Sequence, residues 1–227
     1  MTALVFDVDG TLYRQRLLRR AMATHLLARH LTSPIRGWRT MRILRSYRHA
    51  QERLRAAPTT GDIAAAQIAI ACDETGMDRA LVDAEVTRWM HEEPLAFLPR
   101  CIQPGLLAFL QRSKERGLRL GVLSDYPAES KLAALGLSSA FDVVVCAQDP
   151  AINVFKPNPR GLLVALERLG ASPSESLYIG DRVDVDVPTA AAAGVGCAIV
   201  TSRPHPSPET GHVEVASYSE LGAVLWP

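Results

Sequence analysis

ALVFDVDGTLY, residues 3–13, decides how the chain is read. Ala3 to Phe6 form a short apolar run that ends on Asp7, the pattern of a strand buried on both faces. Two carboxylates, Asp7 and Asp9, then stand two residues apart, followed by Gly10 and Thr11. Close carboxylates repel, so a cation between or beside them is expected. Gly10 frees the backbone for a tight turn in which both acids could meet one ligand. Mg²⁺ suits such a place, because it takes one or two carboxylates, waters and phosphate oxygens. An Asp-Gly surface turn decorated with acids is the plainer alternative, and the rest of the chain has to separate the two.

From Arg14 to about Pro99 the pattern is helical. Breaks fall at Ser33-Pro34, around Pro58 to Gly61, near Gly76 and at Glu93-Pro94, which leaves roughly four helices. Asp62 is placed to cap the helix that follows it. After Pro104 the texture changes to alternation. Strands are expected over 118–123, 143–146, 177–179 and 197–201, with a further one over 212–216. Helices are expected over 105–116, 127–135, 159–169, 188–193 and 219–225. Strands alternating with helices imply a parallel sheet covered on both faces. The expectation is therefore an α/β, Rossmann-like core made of residues 1–13 and 100–227, interrupted after its first strand by an all-helical block at 14–99. Residues 201–212, TSRPHPSPETGH, are Pro-rich and polar and read as a surface loop. In such sheets ligands bind at the carboxyl ends of the strands, so the inserted block is expected over that edge.

The strand ends carry the chemistry. Ser124 and Asp125 follow the second strand, Lys156-Pro157 follows the third, and Gly180-Asp181, with Asp184 and Asp186, follows the fourth. A serine at a strand-to-helix turn can hold phosphate with nearby backbone N–H groups, or simply cap a helix. Lys156 is one of only three lysines, against 22 arginines; it is a charge-balancing group or a solvated loop residue. Three acids in six residues form a cation site or an acidic first turn favoured by the helix dipole.

In order and placement these stretches resemble the haloacid dehalogenase superfamily. DVDGT is similar to its first motif, Ser124 to its second, Lys156 to its third and GDRVDVD to its fourth. The helical block lies where that family inserts a type 1 helical cap. The resemblance implies a phosphatase acting on a small phosphorylated metabolite with Mg²⁺. Asp7 would be the nucleophile, forming an aspartyl-phosphate, and Asp9 the general acid and base. Gly10, Thr11, Ser124 and Asp125 would line the phosphoryl group through side chains and backbone. Lys156 would balance charge. Asp7, the Asp9 carbonyl, Asp181 and Asp186 would form the metal site, with Asp186 preferred over Asp184. Asp9 sets the chain apart from the dehalogenases of the superfamily, which lack that acid. The absence of any lysine between 14 and 99 sets it apart from the phosphonate-cleaving branch. A phosphosugar mutase would use the same residues and remains the alternative. Cap residues would choose the substrate.

The totals are those of a soluble globular protein, with 227 residues, 48% hydrophobic, 22% charged and a net charge of +1. No apolar run approaches the roughly 20 residues that span a bilayer. The first residues lack the basic and apolar parts of a signal peptide. Four cysteines without CxxC spacing read as reduced thiols in a cytoplasmic protein. His25, His30 and His49 read as surface or packing residues.

The charge is uneven. Arg14 to Arg55 holds twelve arginines and one acid, Glu52, and the remainder has an excess of acids. In RGWRTMRILRSYRHA, residues 36–50, arginine recurs every third residue, so on a helix the arginines sweep about 240°. Trp38, Met41, Leu44 and Tyr47 sweep with them, on the opposite side, and are expected to turn toward neighbouring helices. A flat partner would then meet about three arginines. Nucleic-acid binding is not expected, and membrane binding is a lesser alternative.

Overall fold

The computed structural model describes residues 1–57, 60–204 and 211–227. These form two compact units, one of Met1–Arg14 with Ile102–Pro227 and the other of Gln15–Cys101. In chain order the first unit opens with β1 (Ala3–Phe6), and the second carries α1 (Gln15–Arg29), α2 (Pro34–Ala56), α3 (Ile63–Thr75) and α4 (Arg79–Val86). The first unit resumes with α5 (Leu106–Glu115), β2 (Arg119–Ser124), α6 (Glu129–Ala134), β3 (Val143–Cys146) and α7 (Arg160–Leu169). It continues with β4 (Ser176–Gly180), α8 (Asp186–Ala193), β5 (Gly196–Val200), β6 (His212–Val215) and α9 (Tyr218–Leu225).

The α/β unit is built on one sheet of order β3-β2-β1-β4-β5-β6, parallel throughout. β1 lies between β2 and β4, with Phe6 opposite Val122 on one side and Ile179 on the other. All four of its residues are fully buried, which is why it reads as an unbroken apolar run. Its side chains alternate between faces. Ala3 and Val5 pack with Leu162, Leu166 and Leu169 of α7 and Ala190 of α8. On the other face the Phe6 ring meets Phe109 and Phe141 edge-on. Each large side chain buried this way is worth about 1.5–3 kcal/mol. After β1 the strands step toward β3 on one side, and from β4 they step toward β6 on the other. The order therefore reverses between β1 and β4, and a crevice opens at their carboxyl ends.

The strands fall where the apolar runs place them, within one or two residues. Helix starts fall within two residues of expectation. The expected starts at Pro127 and Pro159 precede the first turns of α6 and α7. α8 begins at Asp186, before Pro188, because a proline in the first turn lacks only an N–H that has no partner there. Of the Pro-rich stretch 201–212, residues 205–210 lie outside the described residues.

In the helical unit, Asp62 caps α3 by accepting from the N–H groups of Ala64 (2.9 Å) and Ala65 (3.2 Å). Asp78 caps α4 through Ala80 at 2.8 Å. α3 ends at Gly76 in the left-handed conformation, a C-terminal position that favours glycine. Past α4 the chain runs through a wide π turn at Thr87–Glu92 and tight 3₁₀ turns at Glu93–Ala96 and Leu98–Arg100. Of the expected break around Pro58 to Gly61, Pro58 and Thr59 lie outside the described residues.

α2 corrects one expectation. It buries Gly37, Thr40, Ile43, Tyr47, Ala50 and Leu54, while Trp38 and Met41 face solvent, 60% and 56% exposed. The cause is close packing through small residues. The His30 side chain meets the backbone at Gly37, and Gln67 of α3 donates to the Tyr47 carbonyl at 2.8 Å. Bulky Trp38 and Met41 occupy the opposite side. His25 is half-buried between the rings of Trp89 and Phe97 and pairs with Glu93. All four cysteines carry free thiols. Among the described residues no helix is long and apolar enough to cross a membrane.

Candidate active site

Asp7 continues β1 by one step, its N–H donating to the Ile179 carbonyl at 2.9 Å. That register delivers its buried side chain to the crevice. Lys156 Nζ donates to Asp7 Oδ1 at 2.7 Å, and the Thr11 hydroxyl donates to Oδ2 at 3.1 Å. Thr11 therefore orients Asp7 while its own backbone carbonyl accepts from the Tyr218 hydroxyl. Lys156 is itself buried and donates further to Asp186 Oδ1 (2.7 Å) and to the Tyr178 hydroxyl (3.1 Å). Tyr178, from the middle of β4, donates in turn to Asp186 Oδ1 at 3.2 Å. The other Asp186 oxygen accepts from the N–H groups of Asp181 and Arg182 at 3.1 and 3.0 Å. Asp186 thus folds the loop after β4 back on itself and anchors Lys156 beside Asp7.

Asp181 completes the group. Asp7, Asp181 and Asp186 each bring one carboxylate oxygen within 4.8 Å of the others. Gly10 is required here for two reasons. Its φ of +107° is unfavourable for any side chain, and a Cβ would overlap the Asp181 carboxylate. Asp184 is turned outward and pairs with Arg182 at 2.6 Å. Among the described residues it takes no part in the carboxylate cluster.

Asp9 points to a different set of partners. Its Oδ1 accepts from Tyr13 and from Lys131 Nζ, both at 2.6 Å. Among the described residues its carboxylate lies outside the three-acid group. Ser124 is buried at the end of β2, where its hydroxyl accepts from the Tyr126 N–H at 3.3 Å. The Asp125 carboxylate accepts from the Lys156 N–H at 3.3 Å. It therefore positions the lysine loop. The Gly10 carbonyl accepts from Gln103 at 3.0 Å.

The electrostatics divide the acids in two. Burial pushes Asp7 up to about 7; Lys156 opposes this, and Asp186 and Asp9 add to it. Burial, followed by repulsion from Asp7 and Asp186, pushes Asp181 up to about 8. Burial also acts against the charge on Asp9, but Lys131, Tyr13 and Lys156 together outweigh it and hold the carboxyl below its ordinary value. Asp186 is depressed in the same way, by Lys156 and two backbone N–H groups. Lys156 stays firmly protonated, well above the usual range, because Asp186 and Asp7 outweigh the cost of its burial. Three convergent carboxylates, two of which hold protons near neutrality, are a donor set that a hard divalent cation would relieve. Asp7, Asp181 and Asp186 fit such an ion.

Tyr178, Lys131, Tyr13 and Gln103 escape a reading of the sequence. Tyr178 sits in an apolar strand and looks like core. Lys131 carried a signal, since it shares with Lys156 the rarity of lysine in this chain.

A model of the haloacid dehalogenase-like hydrolases matches residues 1–194, and the chain belongs to that family. It is 36% identical over 118 residues to a glyceraldehyde 3-phosphate phosphatase of Methanopyrus kandleri, covering 51% of this chain and 48% of that one. It is 34% identical over 128 residues to a phosphoglycolate phosphatase of Rhodospirillum rubrum, covering 55% and 52%. The chain thus spans about half the length of the curated relatives it matches. Its fold is similar to that of the L-2-haloacid dehalogenase of Xanthobacter autotrophicus, with a TM-score of 0.68 and 19% identity over 99% of this chain and 98% of that one. At that identity the likeness concerns the fold alone.

Proposed function

We propose that the protein is a Mg²⁺-dependent phosphatase that hydrolyses a small phosphomonoester through an aspartyl-phosphate on Asp7. The observation that carries this reading is the division of labour between two acids two residues apart. Asp7 is buried against Lys156 and Thr11, whereas Asp9 is held separately by Lys131 and Tyr13. On this reading one carboxylate attacks and the other moves a proton. The curated relatives that are phosphatases support the same reading.

Asp7 attacks phosphorus, and the bond to the leaving oxygen breaks. Lys131 is shared between Asp9 and the incoming phosphate, so Asp9 gains a proton as substrate binds and passes it to the leaving oxygen. Asp9 then takes a proton from the water that displaces phosphate from Asp7; the P–O bond to Asp7 breaks and its carboxylate is regenerated, and Asp9 returns to a carboxylate by releasing that proton to solvent as phosphate leaves. Lys156 and the backbone around Ser124 and Asp125 face the charge that develops on the phosphoryl oxygens. Asp7, Asp181, Asp186 and the Asp9 carbonyl would hold Mg²⁺, which supplies charge neutralisation between nucleophile and phosphate. Four free thiols suit a reducing cytoplasm.

The test is phosphate release from glyceraldehyde 3-phosphate, phosphoglycolate, phosphoserine and sugar phosphates, with Mg²⁺ or with EDTA. Turnover with Mg²⁺ is expected, and Asp7→Asn should lower it by roughly 10³-fold or more. An Asp7→Asn variant within about tenfold of the parent would remove Asp7 as nucleophile. Isomerisation of a sugar phosphate without phosphate release would make the chain a mutase.

A further inference from the structure

The outer face of α2 is built unlike a solvated helix. Ile35, Trp38 and Met41 are 81%, 60% and 56% exposed, and Leu27 and Leu31, leading into α2 from α1, are 65% and 82% exposed. Residues three apart are neighbours on a helix surface, so Ile35, Trp38 and Met41 form one apolar stripe. It lies opposite the buried stripe of Gly37, Thr40 and Tyr47. Arg42 and Arg45, four residues on from Trp38 and Met41, border it. The Arg42 guanidinium lies over the Trp38 ring at 4.8 Å. Arg29, Arg36 and Arg45 are exposed and form no ion pair among the described residues. From Arg14 to Gln51 the sequence contains no acid.

We infer that this face docks on an anionic lipid surface, lying in the interface without crossing it. Five large apolar side chains open to water are a liability unless something covers them. A second copy of the same face would set arginine against arginine. A nucleic acid would meet the arginines and leave Ile35, Leu31 and Met41 without a role. An anionic bilayer satisfies both halves, because the apolar tips enter the acyl boundary while the guanidinium groups meet phosphate headgroups. Each arginine near such a surface strengthens binding about fivefold. The inference does not depend on the phosphatase reading.

The experiment is co-sedimentation of the full chain with vesicles of phosphatidylcholine alone and of phosphatidylcholine mixed with phosphatidylglycerol, at low and high salt. Binding is expected only to the anionic vesicles and should weaken with salt. Arg45→Glu should lower partitioning at least about fivefold. Ile35→Ser or Trp38→Ser should lower it by about tenfold, and Trp38→Phe should retain it. These positions are exposed, so unchanged thermal midpoints should accompany the losses. No binding at low salt would overturn the inference. So would equal binding to neutral vesicles, a dimer that Trp38→Ser dissociates, or duplex binding that is indifferent to Ile35→Ser and Trp38→Ser.

Discussion

Lys156 lies within 2.7 Å of two carboxylates in the buried crevice of the α/β unit. Arg45, on the outer face of α2, is exposed and has no acid partner among the described residues. The two side chains carry the same charge in opposite settings. Around Lys156 every polar atom has been withdrawn from water and must be answered by another protein group. Around Arg45 water does the answering, and the charge stays available to a partner outside the chain. Net charge, which is nearly zero for this protein, conceals the difference.

The comparison breaks most sharply at Lys156. Lys156→Met leaves Asp7 and Asp186 buried without their cation, and removing one partner of a buried pair costs about 3–5 kcal/mol. Urea denaturation of the metal-free chain should show a loss of that size. A loss below about 1 kcal/mol would mean that the two carboxylates do not depend on it.

A second test uses pH. Asp7 and Asp181 titrate in the folded chain at about 7 and 8, against an ordinary value of 3.8. Between those limits the folded state binds more protons than the unfolded state, so stability falls as pH rises. Asp9 and Asp186 are depressed; their contribution is present above the ordinary value and is lost only in acid. In EDTA the melting temperature should therefore decline from pH 5 to pH 8. Added Mg²⁺ should raise it most at pH 8, where the carboxylates are free to bind. A melting temperature that climbs with pH in EDTA would contradict the burial that raises both Asp7 and Asp181.

The smallest effect belongs to the arginine face. Arg36→Gln, at an exposed position without an ion pair, should change stability by no more than about 0.5 kcal/mol. Chemical denaturation measures it, and a larger loss would assign Arg36 a partner within the fold.

The sheet was legible because buried parallel strands need continuous apolar runs. Leu4, Val5, Val144 and Ile179 sit in such runs, and glycines such as Gly170 and Gly194 mark the helix ends between them. The order of acids and Lys156 along the chain was legible too, since each follows a strand. Their convergence was not. Tyr178 reads as core until the sheet brings its hydroxyl to Lys156, and Lys131 reads as a helix surface residue until α6 carries it to Asp9. Trp38 and Met41 were misread for a related reason. Hydrophobicity marks a residue that gains by burial, but it does not say whether a neighbouring helix comes close enough to bury it.

By itself the sequence determined the α/β alternation, the all-helical interruption after β1, and the chemical types at the strand ends, because those depend on local periodicity and turn chemistry. Only the tertiary structure decided that Tyr178 joins Lys156 and Asp186, that Lys131 answers Asp9, and that Trp38 and Met41 of α2 face outward. Each of those outcomes depends on distances between residues far apart in the chain, which side-chain packing sets and local pattern does not.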